Sequence, residues 1–268
     1  MLKKLLMMLC AVLLIFSFAS AEEDPEIYIE EIVEDVLITE DGEEILLESS
    51  AEPENPARED FITRIIDMGH DLYVKADGKS QRAHYSGDIY VCKNFTTYLF
   101  RKNRDDFRMA EYPDTKLIIP NNLPSAKCRP YYYGMFWEDK TAAQGNPFEV
   151  GAQFLYDSDL SPEENFDKAC DFMREARRGD FLQMSGQYEY GTGAHSAIII
   201  ADYDPSTDSV HWMDSNMRGK KVNGIRYGIV QFDEVRSVEW WAGTFCHKKR
   251  GATLYRLRQD IVYAEDVQ

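Results

Sequence analysis

Several features that often reveal a function are missing from this chain. Of its 5 cysteines, the four that follow Cys10 include no C-x-x-C pair, so a zinc framework is not predicted. Basic side chains are outnumbered, 30 against 47 acidic ones, and the net charge of −17 argues against nucleic acid as a partner. No internal repeat is visible, and only one apolar run approaches the length of a membrane span.

That apolar run belongs to residues 1–21, which have the form of a secretory signal. Lys3 and Lys4 precede an apolar core from Leu5 to Phe18, and Ala19-Ser20-Ala21 forms a small-x-small cleavage site. Cys10 lies in the middle of the core rather than at its end, which argues against a lipoprotein anchor. We therefore expect a secreted, extracellular protein without a stable membrane anchor.

The acidity is concentrated in the segment after the signal. Residues 22–60 hold 17 acidic side chains and one basic side chain, whereas residues 61–268 hold 30 acidic and 27 basic ones. This composition predicts a disordered acidic leader over residues 22–55. Apolar runs within it, such as Ile45-Leu46-Leu47, leave open paired strands or a propeptide-like role. Residues 56–268 suffice for one domain with a substantial core.

The pattern beyond residue 56 predicts an α+β fold. Helical spacing of apolar residues covers 57–69, ending near Gly69, and recurs from Cys92. A third helix begins with the capping box at Ser161 and ends at Gly179. Helices followed by a meander of strands are typical of an antiparallel sheet packed against helices. The β-rich runs are 180–184, 195–203, 209–214, 226–232, 237–241 and 252–257.

Two residues form a candidate catalytic pair across these halves. Cys92 falls in the first turn of its predicted helix, where amide N–H groups and the helix dipole stabilise a thiolate. His195 opens an apolar run after the small-residue loop Gly191-Thr192-Gly193-Ala194, which lets a substrate backbone approach. Alone, each residue is more often structural, a small buried thiol or a strand-end histidine. Together they predict a nucleophile and its base.

A third polar group is needed to hold the imidazole. Asp214 and Asn216 share a face of the predicted strand, and a hairpin through residues 204–208 would return either of them beside His195. We favour Asp214, because a carboxylate stabilises an imidazolium more than an amide does. His211 is a weaker candidate for the base, since its flanks lack an open loop.

The oxyanion site and the other thiols are less constrained by the sequence. We expect the backbone N–H of Cys92 to serve as one oxyanion donor, with a side chain just upstream, Tyr85, Ser86 or Tyr90, as another. If Cys92 is a free nucleophile, the remaining thiols allow at most one disulfide and force none. These thiols are Cys128, Cys170 and Cys246.

These residues resemble the papain-like cysteine peptidases and amidases that cut bacterial cell walls, including the NlpC-type endopeptidases and the cysteine-, histidine-dependent amidohydrolases. The resemblance implies a papain-like fold with Cys92 as nucleophile, His195 as base, and Asp214 or Asn216 as the orienting residue. The chain departs from the common pattern in lacking the Asp-Cys-Ser/Gly start and in carrying an aromatic insertion over about 104–160. The blocks that carry the likeness are Gly87-Asp88-Ile89-Tyr90-Val91-Cys92, Arg178-Gly179-Asp180-Phe181-Leu182-Gln183, His195-Ser196-Ala197-Ile198-Ile199-Ile200 and Trp212-Met213-Asp214-Ser215-Asn216.

The leading hypothesis is a secreted thiol hydrolase that cleaves a peptide or amide bond through an acyl-enzyme on Cys92. The resemblance implies peptidoglycan stem peptides as its substrate. One alternative is an acyltransferase or transglutaminase-like enzyme with the same residues. Another is a non-catalytic secreted binding module on a papain-like fold. The chemistry requires no cofactor and no metal, and the sequence does not indicate an oligomeric state.

Overall fold

The computed structural model describes residues 36–38, 44–46, 55–79, 81–83, 89–119, 145–184, 195–217, 226–247, 249 and 251–267. The chain divides into two compact units, Met1–Glu52 and Pro53–Gln268. In the first unit, β1 (Val36–Ile38) pairs antiparallel with β2 (Glu44–Leu46) inside the acidic segment. The expected secretory signal, residues 1–21, lies outside the described residues.

Four α-helices occur in the described part of the second unit, and local sequence signals set their starts. Asn55 caps the first helix by accepting from the amides of Ala57 and Arg58, with Pro56 as the first helical residue. At the third helix, Ser161 and Glu164 form the predicted capping box. The helices are α1 (Pro56–Ala76), α2 (Cys92–Asn103), α3 (Pro162–Arg174) and α4 (Val238–His247).

The strands of the second unit form two sheets in which all the described pairs are antiparallel. The larger sheet has seven strands in the order β3-β10-β9-β8-β7-β11-β6, and the smaller has the order β12-β4-β5. The α+β class with an antiparallel sheet is therefore confirmed. The strands are β3 (Gln81–Ala83), β4 (Phe107–Met109), β5 (Tyr112–Lys116), β6 (Phe148–Phe154), β7 (Phe181–Met184), β8 (His195–Ile199), β9 (Ser209–Met217), β10 (Arg226–Ser237), β11 (Ala252–Leu257) and β12 (Ile261–Tyr263).

The alternation of side chains along the strands creates two apolar clusters, one on each face of the seven-stranded sheet. Ile198 and Met213 belong to the cluster that contains apolar residues of α1 and α2. Their neighbours in sequence, Ile199 and Trp212, belong to the cluster that contains residues of α3 and α4. The sheet is thus covered by helices on both faces, and the helix that begins at Cys92 lies on the α1 side.

Two of the predicted element boundaries were wrong. The first helix does not end near Gly69 but continues to Ala76. Gly69 is instead a packing residue, because a Cβ at this position would overlap the sulfur of Met213. The third helix ends at Arg174, before Gly179, whose φ of 88° serves the turn into β7.

The strand predicted at residues 237–241 was also wrong. This segment begins α4, and its buried residues Val238, Trp241, Ala242 and Phe245 recur with the period of a helix. Valine and tryptophan favour strands by composition, but here the helical spacing of the apolar face decides the structure, because it packs against α3.

Candidate active site

Cys92 is the first residue of α2, as the sequence predicts. The residue before it, Val91, is the N-cap, with extended dihedral angles and no side-chain capping bond. The carbonyl of Val91 accepts the first helical hydrogen bond, 2.8 Å from the amide nitrogen of Phe95. The half-buried thiol of Cys92 therefore lies at the positive end of the helix dipole, which stabilises a thiolate.

His195 and Asp214 lie on adjacent strands and are directly bonded. β8 and β9 pair antiparallel through Ile198 and Met213, so the chain returns Asp214 to the end of β8 where His195 lies. The ring nitrogen Nε2 of His195 is 2.6 Å from Oδ2 of Asp214. Both side chains are largely shielded from water, with 15% and 5% of their surface exposed.

The imidazole of His195 also bonds to the thiol of Cys92. Nε2 faces Asp214, which leaves Nδ1 as the ring nitrogen available to the thiol. Cys92, His195 and Asp214 thus form a continuous hydrogen-bonded series between α2, β8 and β9. This is the arrangement that a thiolate–imidazolium pair requires, with the carboxylate fixing the orientation of the ring.

The electrostatics of this series favour a charged imidazole. Burial opposes protonation of the ring, but the hydrogen bonds and charges of Asp214 and Cys92 outweigh it and raise the pKa of His195 from 6.5 to about 10. A histidine with this pKa is an imidazolium over the whole neutral range. It can therefore hold a thiolate beside it and donate a proton to a leaving group.

Of the two candidates for the third residue, Asp214 is the one whose side chain contacts the ring in the described structure. Asn216 lies two residues further along β9, and both residues pair with β10 through the backbone. The other carboxylate oxygen of Asp214, Oδ1, is buried and finds no hydrogen-bond donor among the described residues. Buried polar atoms of this kind are rare in folded proteins and are frequent at functional sites.

Two buried polar residues behind His195 were not identified from the sequence. Gln183 on β7 donates from Nε2 to the carbonyl of His195 at 3.0 Å, and its Oε1 accepts from Ser196 at 2.7 Å. Both side chains are almost completely buried. Gln183 thereby fixes the backbone of His195 from the neighbouring strand, and Ser196 holds the amide of Gln183 in place. The available signal was a polar residue in each of two otherwise apolar strands.

Several other candidates lie away from this series. The ring of His211 is bonded to Asp233 at 2.6 Å, on the strand β10. The ring of Tyr90 packs against the apolar cluster on the α1 side, while its carbonyl faces β9. The remaining upstream oxyanion candidates, Tyr85 and Ser86, lie outside the described residues. So do the loop 191–194 and residues 120–144 of the aromatic insertion.

The described cysteines are not joined by disulfides. Cys92, Cys170 and Cys246 form no disulfide, and Cys128 lies outside the described residues. Burial raises the pKa of both Cys170 and Cys246, which makes these two thiols poor nucleophiles. Cys92 is therefore the one described cysteine placed beside a base.

In comparisons with known proteins, no family model, no curated protein and no solved structure matches this chain. Within the described residues, no cluster of three or more histidine, cysteine, aspartate or glutamate side chains is arranged to hold a metal ion. None of the described helices is long and apolar enough to cross a membrane.

Proposed function

We propose that this protein is a secreted thiol hydrolase that cleaves a peptide or amide bond through an acyl-enzyme on Cys92. The observation that supports this most is the hydrogen-bonded series of Cys92, His195 and Asp214, closed by the 2.6 Å contact between the last two. A thiol at a helix N-terminus, a charged imidazole and a buried carboxylate are the three parts of a cysteine hydrolase. Secretion is proposed from the signal-like residues 1–21.

The reaction follows from the protonation states of the pair. The thiolate of Cys92 attacks the carbonyl carbon, and a carbon–sulfur bond forms as the oxygen takes up negative charge. The carbon–nitrogen bond then breaks, and the His195 imidazolium gives its proton to the leaving amine. Neutral His195 next removes a proton from water, and the resulting hydroxide attacks the thioester carbon. The carbon–sulfur bond then breaks, and a carboxylic acid leaves. The thiolate–imidazolium pair is thereby restored.

The arrangement of elements supports a papain-like fold as part of this proposal. The nucleophile begins a helix on one face of the sheet, while the base and its orienting residue lie on adjacent antiparallel strands. The sequence resemblance to cell-wall peptidases and amidases makes peptidoglycan stem peptides the proposed substrate class.

Hydrolysis of purified peptidoglycan tests this proposal, with product peptides identified by mass spectrometry. We expect Cys92→Ala to abolish cleavage and His195→Ala to reduce it by about 10²- to 10⁴-fold, the usual contribution of a general acid–base residue. Cys246→Ala is the matched control, because Cys246 is also a partly exposed cysteine, but burial raises the pKa of its thiol. Full cleavage by Cys92→Ala would contradict the assignment.

A further inference from the structure

The peptide just before the nucleophile is held by two contacts from the sheet. The carbonyl oxygen of Tyr90 accepts a hydrogen bond from the hydroxyl of Ser215 at 2.8 Å. Gly228 on β10 lies against the same carbonyl, and a Cβ at Gly228 would overlap the carbonyl oxygen. Both Ser215 and Gly228 are buried. Two adjacent strands therefore contact and fix one carbonyl group, two residues before Cys92.

These two contacts at the Tyr90 carbonyl set the direction in which α2 begins. In a trans peptide the carbonyl and the following N–H point in opposite directions. Because the Tyr90 carbonyl points at β9 and β10, the N–H of Val91 points away from them. Val91 is the N-cap of α2, so the orientation of this peptide plane is passed directly to the first turn, where Cys92 lies.

One short stretch of β9 thereby serves both members of the catalytic pair. Asp214 bonds to the ring of His195, and the next residue, Ser215, bonds to the peptide that leads into Cys92. Since successive side chains of a strand point to opposite faces, the strand holds the base through one side chain and the peptide that precedes the nucleophile through the next. The gap between thiol and imidazole depends on this stretch.

We propose that Ser215 and Gly228 are positioning residues that set the distance between the Cys92 thiol and His195 by fixing the Tyr90 carbonyl. The inference rests on the proposed function, in which that distance controls the formation of the thiolate. Ser215 acts through a hydrogen bond, and Gly228 acts by leaving room for the carbonyl. Neither residue touches the reacting atoms.

Alkylation of Cys92 by iodoacetamide, followed across pH by peptide mass spectrometry, tests the proposal without any substrate. At about pH 6, we expect the rate to fall about 10-fold in Ser215→Ala, from one lost hydrogen bond. In Gly228→Ala we expect a fall of about 100-fold, because the loop must move by roughly 1 Å. The pH profile of both variants should shift toward that of an ordinary thiol, while Ser215→Thr, which keeps the hydroxyl, should restore the wild-type profile.

Ser209→Ala is the matched control, since Ser209 is a buried serine on the same strand whose hydroxyl bonds to Thr207 instead. Wild-type alkylation profiles in folded Ser215→Ala and Gly228→Ala would overturn the proposal. If Gly228→Ala does not fold, the Ser215 variants decide alone. A protein that hydrolyses no peptide but still shows Ser215-dependent alkylation would refute only the hydrolase function and would leave the positioning role supported.

Discussion

Replacement of Asp214 by asparagine removes the negative charge next to the His195 ring and keeps the shape of the site. The two side chains have the same size, and an asparagine oxygen can still accept from Nε2 at the 2.6 Å contact. The rise in the pKa of His195 from 6.5 to about 10 corresponds to roughly 5 kcal/mol in favour of the imidazolium. Asp214 and Cys92 each cause part of this rise in pKa, and a hydrogen bond to a charged group contributes about 1.5–3 kcal/mol.

We therefore expect Asp214→Asn to slow acylation of Cys92 by roughly 10- to 100-fold. The rate can be followed as release of p-nitrophenol from p-nitrophenyl acetate, which requires no knowledge of the natural substrate. Asn216→Ala is the matched control on the same strand, and it should keep the wild-type rate because Asn216 does not hold the ring. An unchanged rate in Asp214→Asn, or an equal loss in Asn216→Ala, would refute the assignment of the third residue.

Three further outcomes follow from the described contacts. Arg256→Met should lower the free energy of unfolding, measured in urea, by about 3–5 kcal/mol, because it leaves the buried Asp180 carboxylate without the guanidinium that now bonds to it at 2.9 and 3.0 Å. A free energy of unfolding within about 1 kcal/mol of wild type would contradict this. Gly69→Ala should lower the free energy of unfolding by about 1–3 kcal/mol, because the added methyl group overpacks the core. Gly243→Ala, whose added Cβ meets no atom within 4 Å, should raise the free energy of unfolding by about 0.5–1 kcal/mol. Equal shifts in melting temperature for the two variants would contradict both predictions. The pKa of His195 is raised from 6.5 to about 10, so protonation of its ring stabilises the folded state fully below about pH 6.5, and this stabilisation is lost as pH rises toward 10. In His195→Gln, this fall in the free energy of unfolding with rising pH should disappear.

The sequence predicted the parts of the site that depend on local signals. The start of α2 at Cys92 and the capping box at Ser161 are written in a few neighbouring residues. The turn at 204–208 likewise predicts the β8–β9 hairpin that returns Asp214 to His195. Such short-range features determine backbone direction, which is enough to bring a helix start and a strand end together.

The remaining features depend on contacts between distant residues. Asp214 and Asn216 share a strand face, so periodicity alone cannot tell which of them reaches the ring. In a sequence, a packing glycine such as Gly69 cannot be told from a glycine that ends a helix until the facing residue, Met213, is known. The contact of Ser215 with Tyr90 joins residues 125 positions apart. No local pattern encodes such a pairing.

The pH dependence of alkylation by iodoacetamide shows whether Cys92 is a thiolate paired with His195. We predict that wild-type Cys92 reacts at nearly its full rate at about pH 6, well below the pKa of roughly 8.5 expected for an ordinary thiol. In His195→Ala the profile should move up to that ordinary value. A wild-type profile centred near pH 8.5, unchanged by His195→Ala, would contradict the thiolate–imidazolium pair.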